Sequence, residues 1–127
     1  MRIIGHGVDL VLIARVERVW QRHGQRFLDR TYTPAEQRYC LEGRLAATRL
    51  AGRFAAKEAV MKVLGTGWTR GVEFAHIETL PDAMGKPVVT LLDSTAAVAT
   101  NLGIQSILIS ISHAGDYATA SAIGIGQ

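Results

Sequence analysis

Between Leu50 and Leu64 the chain runs Leu-Ala-Gly-Arg-Phe-Ala-Ala-Lys-Glu-Ala-Val-Met-Lys-Val-Leu, and only Arg53, Lys57, Glu58 and Lys62 in that stretch are charged. A helix that is apolar nearly all round expects burial, and buried charges are costly unless something pairs them. At roughly 100° per residue, Leu50, Phe54, Val60, Met61 and Leu64 share one broad arc. Arg53 and Lys57 fall inside it, with Glu58 and Lys62 on its shoulder. A metal-bound phosphate would satisfy all three cations and the carboxylate, so phosphate chemistry is the expectation. The competing arrangement is a pair of ordinary i,i+4 neighbours, Arg53/Lys57 and Glu58/Lys62, the latter worth about 0.3–0.5 kcal/mol on a surface. It predicts a polar remainder, yet the rest of the helix is Ala51, Gly52, Ala55, Ala56, Ala59 and Val63.

These residues need elements to hold them. Residues 2–9 predict a first strand, with Gly5 and Gly7 in it and Asp9 at its end. A helix over about 12–23 closes at Gly24, with Arg15, Arg18, Arg22 and Arg26 within roughly 80° on one side and Val16, Trp20 and Phe27 as its anchors. Thr33-Pro34-Ala35-Glu36 is a capping box with proline at the first helical position, opening a short helix that ends near Gly43. The long helix spans about 45–64 and stops at Gly65. Strands follow at 74–80 and 88–91 around the turn residues Gly85-Lys86-Pro87. Asp93 or Ser94 then caps an alanine-rich helix to about 102, and two alternating runs, 107–112 and 117–125, form a hairpin around His113–Asp116. The order gives an α+β fold: an N-terminal strand, a long central helix and mostly antiparallel strands.

Four segments occur in the order and spacing of one family. They are Gly5-x-Gly7-x-Asp9, the block from Arg53-Phe54-Ala55-Ala56-Lys57-Glu58 through Lys62 to Gly65-Thr66-Gly67, Gly85-Lys86-Pro87, and Ser110-Ile111-Ser112-His113. The chain resembles the holo-acyl-carrier-protein synthases, the small bacterial 4′-phosphopantetheinyl transferases, from residue 3 to about 123. The resemblance implies an Mg2+-dependent transfer of the 4′-phosphopantetheine arm of coenzyme A to a serine hydroxyl of an apo acyl carrier protein. Adenosine 3′,5′-bisphosphate is released, and the product supports fatty acid biosynthesis.

By the same resemblance Asp9 and Glu58 are metal ligands and catalytic residues. Lys62 contacts the pyrophosphate and steadies the transition state, while Arg53 and His113 meet the 3′-phosphate end of coenzyme A. Gly85, Lys86 and Pro87 wall the adenine pocket, and Gly65 and Thr66 approach the phosphates. Glu58, Asp9 and a metal-bound water are all candidates for the base. Arg15, Arg18 and Arg22 offer charge to the acidic helix of a carrier protein, where they would raise association rate more than affinity. The family is a homotrimer with interfacial sites, Asp9 of one chain meeting Glu58 and His113 supplied across or beside the boundary. His6, His23 and His76 have no such context and are expected to be structural or solvated.

At 127 residues the chain is long enough for one domain and too short for two. A net charge of +3 favours acidic partners, but aromatics at 6% are too few for a nucleic-acid stacking platform. No Gly-x-x-x-x-Gly-Lys-Ser/Thr loop is present, which argues against a nucleotide hydrolase of that type. The lone Cys40 fits a reducing cytoplasm, and neither a signal peptide nor a membrane span is expected.

Overall fold

The computed structural model describes residues 1–65 and 71–127. The chain begins with β1 (Arg2–Leu12), followed by four helices: α1 (Ile13–His23), α2 (Gln25–Thr31), α3 (Pro34–Leu41) and α4 (Ala46–Leu64). A 3-10 turn over Phe74–His76 leads into β2 (Ile77–Pro81) and β3 (Pro87–Leu91), then α5 (Asp93–Asn101), β4 (Ser106–Ala114) and β5 (Tyr117–Gly126). Strands β1, β5 and β4 form an antiparallel sheet in that spatial order, and β2 and β3 form a separate hairpin. The α+β arrangement with a long helix and antiparallel strands is as the sequence indicates.

Helix α4 is the spine, lying across one face of the three-stranded sheet. Successive side chains of a strand point to opposite faces, so Gly5, Gly7 and Asp9 share the face turned toward α4. A methyl group at Gly7 would stand 2.2 Å from the Ala59 carbonyl oxygen, and one at Gly5 would stand 2.8 Å from that of Val63. Only glycine lets the helix come this close. The small residues of α4, Ala55, Ala56 and Ala59, are fully buried and join Ala120 and Ala122 of β5 in the core.

Lys57 departs from the phosphate-binding reading. Its side chain is completely buried, and its ammonium forms a 2.7 Å ion pair with the equally buried Glu36. It also donates to the carbonyl oxygens of Phe74 (3.0 Å) and Ile77. With all three donors so engaged it has nothing left for a ligand. Glu36 is the capping-box residue of α3: one carboxylate oxygen accepts from the Thr33 backbone at 3.0 Å, the other from the Thr79 backbone at 2.9 Å. One buried pair thus ties α3, α4 and β2 together.

Other differences are local. Strand β1 runs on to Leu12, and the segment after Gly24 forms α2, which the sequence reading leaves unassigned. The expected cap of α5 is not made by Asp93 or Ser94: Leu92 holds that position, Asp93 has a positive φ of 50°, and the Ser94 hydroxyl donates to the Gly71 carbonyl at 2.8 Å.

Lys57→Met, which strands Glu36 without its counter-charge, is expected to lower unfolding free energy by about 3–5 kcal/mol in a urea titration. An unchanged midpoint would show that the pair carries no structural weight.

Candidate functional site

Asp9 reaches α4 from β1 because the two glycines before it hold strand and helix together. Its carboxylate lies 3.5 Å from the Lys62 ammonium, which also donates to the Val8 carbonyl at 2.7 Å. Glu58 stands one turn before Lys62. Partial burial and the negative charge of Asp9 push the Glu58 carboxyl above its ordinary range, and Lys62 draws it back. Among the described residues one half-exposed lysine, Lys62, pairs with Asp9 and lies within electrostatic reach of Glu58. Among the described residues no group of three or more His, Cys, Asp or Glu is arranged to hold a metal. A pair of carboxylates is nonetheless the protein share of a typical magnesium site, where phosphate oxygens and water complete the octahedron. The residues present fit such an ion.

Asp9 and Glu58 line a cavity of about 550 Å3. Its walls are otherwise mostly apolar, with Leu12, Val16, Phe27 and Phe54 among them. Arg15 of α1 stands on the same wall, so the first arginine of the basic stripe borders the acidic pair. Arg18 and Arg22 are exposed further along α1, outside that lining.

A second cavity of about 310 Å3 opens beside Arg53, the residue before Phe54 in α4. It is lined by Arg53 from the helix, His113 from β4, and Gly85 and Pro87 from the turn of the β2–β3 hairpin. That turn is held by Asp82, whose carboxylate accepts from the backbone N–H groups of Met84 (2.8 Å) and Lys86 (3.0 Å). Arg53 is buried; its Nε donates to the Thr79 carbonyl at 3.3 Å, and its guanidinium stands 4.5 Å from the centre of the Tyr39 ring. Arg53 and Phe54, adjacent in sequence, therefore face different cavities.

The structure thus gathers the expected residues into two groups. Asp9, Glu58 and Lys62 meet within a single chain, so no second copy is needed to bring the two carboxylates together. Arg53, Gly85, Pro87 and His113 form the other group. Lys86 is exposed and outside the second cavity's lining, and Gly65 is the left-handed cap of α4 (φ 71°) outside both. Thr66 lies outside the described residues. His6 and His23 are exposed, while His76 sits among the Ser94 and Thr95 hydroxyls. Phe27, Tyr39 and Arg49 also line the cavities and are absent from the sequence-based site; the i,i+4 spacing of Arg49 and Arg53 was a readable signal.

Residues 5–122 match the 4′-phosphopantetheinyl transferase superfamily. The chain belongs to that superfamily, within its family of holo-acyl-carrier-protein synthases, and is an enzyme of that class. It is 46% identical over 121 residues to the holo-acyl-carrier-protein synthase of Protochlamydia amoebophila, spanning 94% of this chain and 96% of that one. The crystal structure of the Neisseria meningitidis enzyme superposes with a TM-score of 0.90 at 33% identity, covering 98% of this chain and 99% of the other. That of Helicobacter pylori, in complex with coenzyme A, superposes at 0.83 with 32% identity, covering 94% and 99%.

The electrostatics carry a testable sign. A carboxyl raised by folding is destabilising once ionised; the stability it forgoes is fully present below the unfolded-state value and lost as pH rises through the folded one. Glu58→Gln is therefore expected to raise the melting temperature at about pH 7.5, with the gain vanishing toward pH 4. A lower melting temperature at neutral pH would show that Glu58 is not under this repulsion.

Proposed function

We propose that this chain transfers 4′-phosphopantetheine from coenzyme A to a serine of an apo acyl carrier protein with Mg2+ as cofactor, and so serves fatty acid biosynthesis in the cytoplasm. The observation that carries the reading is the crowding of Asp9 and Glu58 around Lys62, next to a basic cavity on the same helix. The relatives point the same way: a structure of one holds coenzyme A. One transferase domain spans residues 1–127 in this reading.

Asp9 and Glu58 would hold the ion, which when bound supplies charge neutralisation for a pyrophosphate. The chain's own residues do the rest. Arg53 and His113 anchor the phosphoadenosine end, with Gly85 and Pro87 against the base and Lys86 at its edge. With the site at a subunit boundary of a trimer, the diphosphate falls near Lys62. Gly65, the cap of α4, offers backbone to the same phosphates, and the family resemblance assigns Thr66 to them as well. The serine oxygen attacks the phosphorus that bears the pantetheine arm, and the bond from that phosphorus to the bridging oxygen breaks. Lys62 stabilises the negative charge that collects on the departing bisphosphate. The serine proton passes to a water that Glu58 would hold, because a carboxylate engaged with an ion is a poor free base.

Arg15 beside the acidic pair makes α1 the docking element for the carrier, with Arg18 and Arg22 extending the positive stripe along it. Val8 and Leu10 of β1 and Leu108 of β4 are exposed. By strand alternation all three lie on the sheet face opposite α4. An uncovered apolar sheet face of this kind suits association of like chains, and the reading includes a homotrimer.

Incubation with coenzyme A, Mg2+ and an apo carrier protein is expected to yield a carrier heavier by one phosphopantetheine in intact-mass spectrometry. Asp9→Ala is expected to cut turnover by at least about 100-fold without unfolding the protein. Arg15→Glu combined with Arg22→Glu should raise KM for the carrier and leave coenzyme A binding as it was. A competent carrier that gains no mass rejects the function, and unaltered carrier kinetics reject the docking helix. For assembly, sedimentation velocity should show three copies, reduced to one by Leu108→Glu; a monomeric wild-type protein excludes the trimer.

A further inference from the structure

We infer that Arg49 is a second anion-binding group of the Arg53 cavity and a determinant of preference for a 3′-phosphorylated nucleotide. The inference rests on the reading that this cavity takes the phosphoadenosine end of coenzyme A.

Arg49 precedes Arg53 by one helical turn, so both side chains project from the same face of α4 into one cavity. Each guanidinium carbon stands 4.5 Å from the centre of the Tyr39 ring, so a single aromatic platform fixes both cations. One terminal nitrogen of Arg49 donates to the carbonyl oxygens of Tyr39 (3.0 Å) and Glu42 (3.2 Å), which lie at the end of α3. The Nε of Arg53 is engaged by Thr79. Among the described residues, the remaining N–H groups of both side chains meet no acceptor.

The surroundings are equally one-sided. No carboxylate lines this cavity, and neither arginine belongs to an ion pair among the described residues. Two fixed guanidiniums with free donors, joined by His113, make a cavity without a counter-charge. A phosphate monoester near pH 7 carries close to two negative charges and three acceptor oxygens. Forked guanidinium donors match that geometry, whereas a diester or a bare nucleoside would leave one of the two arginines unsatisfied. Arg49 thus discriminates for the terminal 3′-phosphate, at the end of the ligand away from Asp9 and Glu58.

The test is calorimetric titration with adenosine 3′,5′-bisphosphate and with adenosine 5′-monophosphate, on the wild-type chain, Arg49→Gln and Arg53→Gln. Glutamine keeps a donor for the carbonyls of Tyr39 and Glu42 and removes the charge. Arg49→Gln is expected to weaken the bisphosphate about 10-fold and to change the monophosphate by less than about twofold. Equal weakening of both ligands, or of neither, overturns the inference. If Arg53→Gln lowers the preference and Arg49→Gln does not, the role of Arg49 fails while the reading of the cavity stands. If the wild-type chain shows no preference, that reading fails and Arg49 with it. Should Arg49→Gln not fold, Arg49→Lys replaces the fork by a point charge; it is expected to lower the preference several-fold, and an unchanged preference overturns the inference equally.

Discussion

A helix backbone pressed against a strand closely enough to exclude a methyl group is the constraint on which this molecule depends. Gly5 and Gly7 of β1 permit it, and the carbonyls of Ala59 and Val63 in α4 occupy the space a side chain would need. Asp9, two residues further along the same face, is thereby delivered to Lys62 and brought within electrostatic reach of Glu58. Among the described residues the two carboxylates share the one positive charge of Lys62. The fold tolerates the repulsion because both groups border a cavity rather than the core.

The four charges of α4 divide by depth. Lys57 points into the interior and is consumed by Glu36 and two backbone carbonyls, which fixes the turn of α4 from which Arg53 and Glu58 diverge. Arg53 faces the basic cavity beneath β4 and the β2–β3 turn, while Glu58 and Lys62 face Asp9 on β1. A single rigid helix so sets the spacing between an anion-binding end and a carboxylate end.

Much of this was legible in the sequence because it rests on local rules. The capping box at Thr33–Glu36, the stop at Gly65, the turn before Pro87 and the alternation of the last two strands all depend on neighbours in the chain. Asp9, Glu58 and Lys62 were singled out through family resemblance; the structure places Asp9 3.5 Å from Lys62 and within electrostatic reach of Glu58. The fate of Lys57 was not readable: helical spacing places it among buried residues but cannot name Glu36, 21 positions away, as its partner. Helix α2 escaped because Gln25–Thr31 is a single short stretch whose buried residues, Leu28 and Thr31, give too little periodicity. The role of Tyr39 as a platform escaped for the same reason as Lys57, being a contact between elements.

The central claim is that Asp9 and Glu58 jointly grip a divalent ion at the diphosphate. Its most direct test is a crystal soaked with Mn2+ and coenzyme A, read by anomalous scattering. The account predicts a peak within about 2.3 Å of a carboxylate oxygen from each residue and in contact with the diphosphate. A peak held by neither carboxylate, with the diphosphate bound elsewhere, would contradict it.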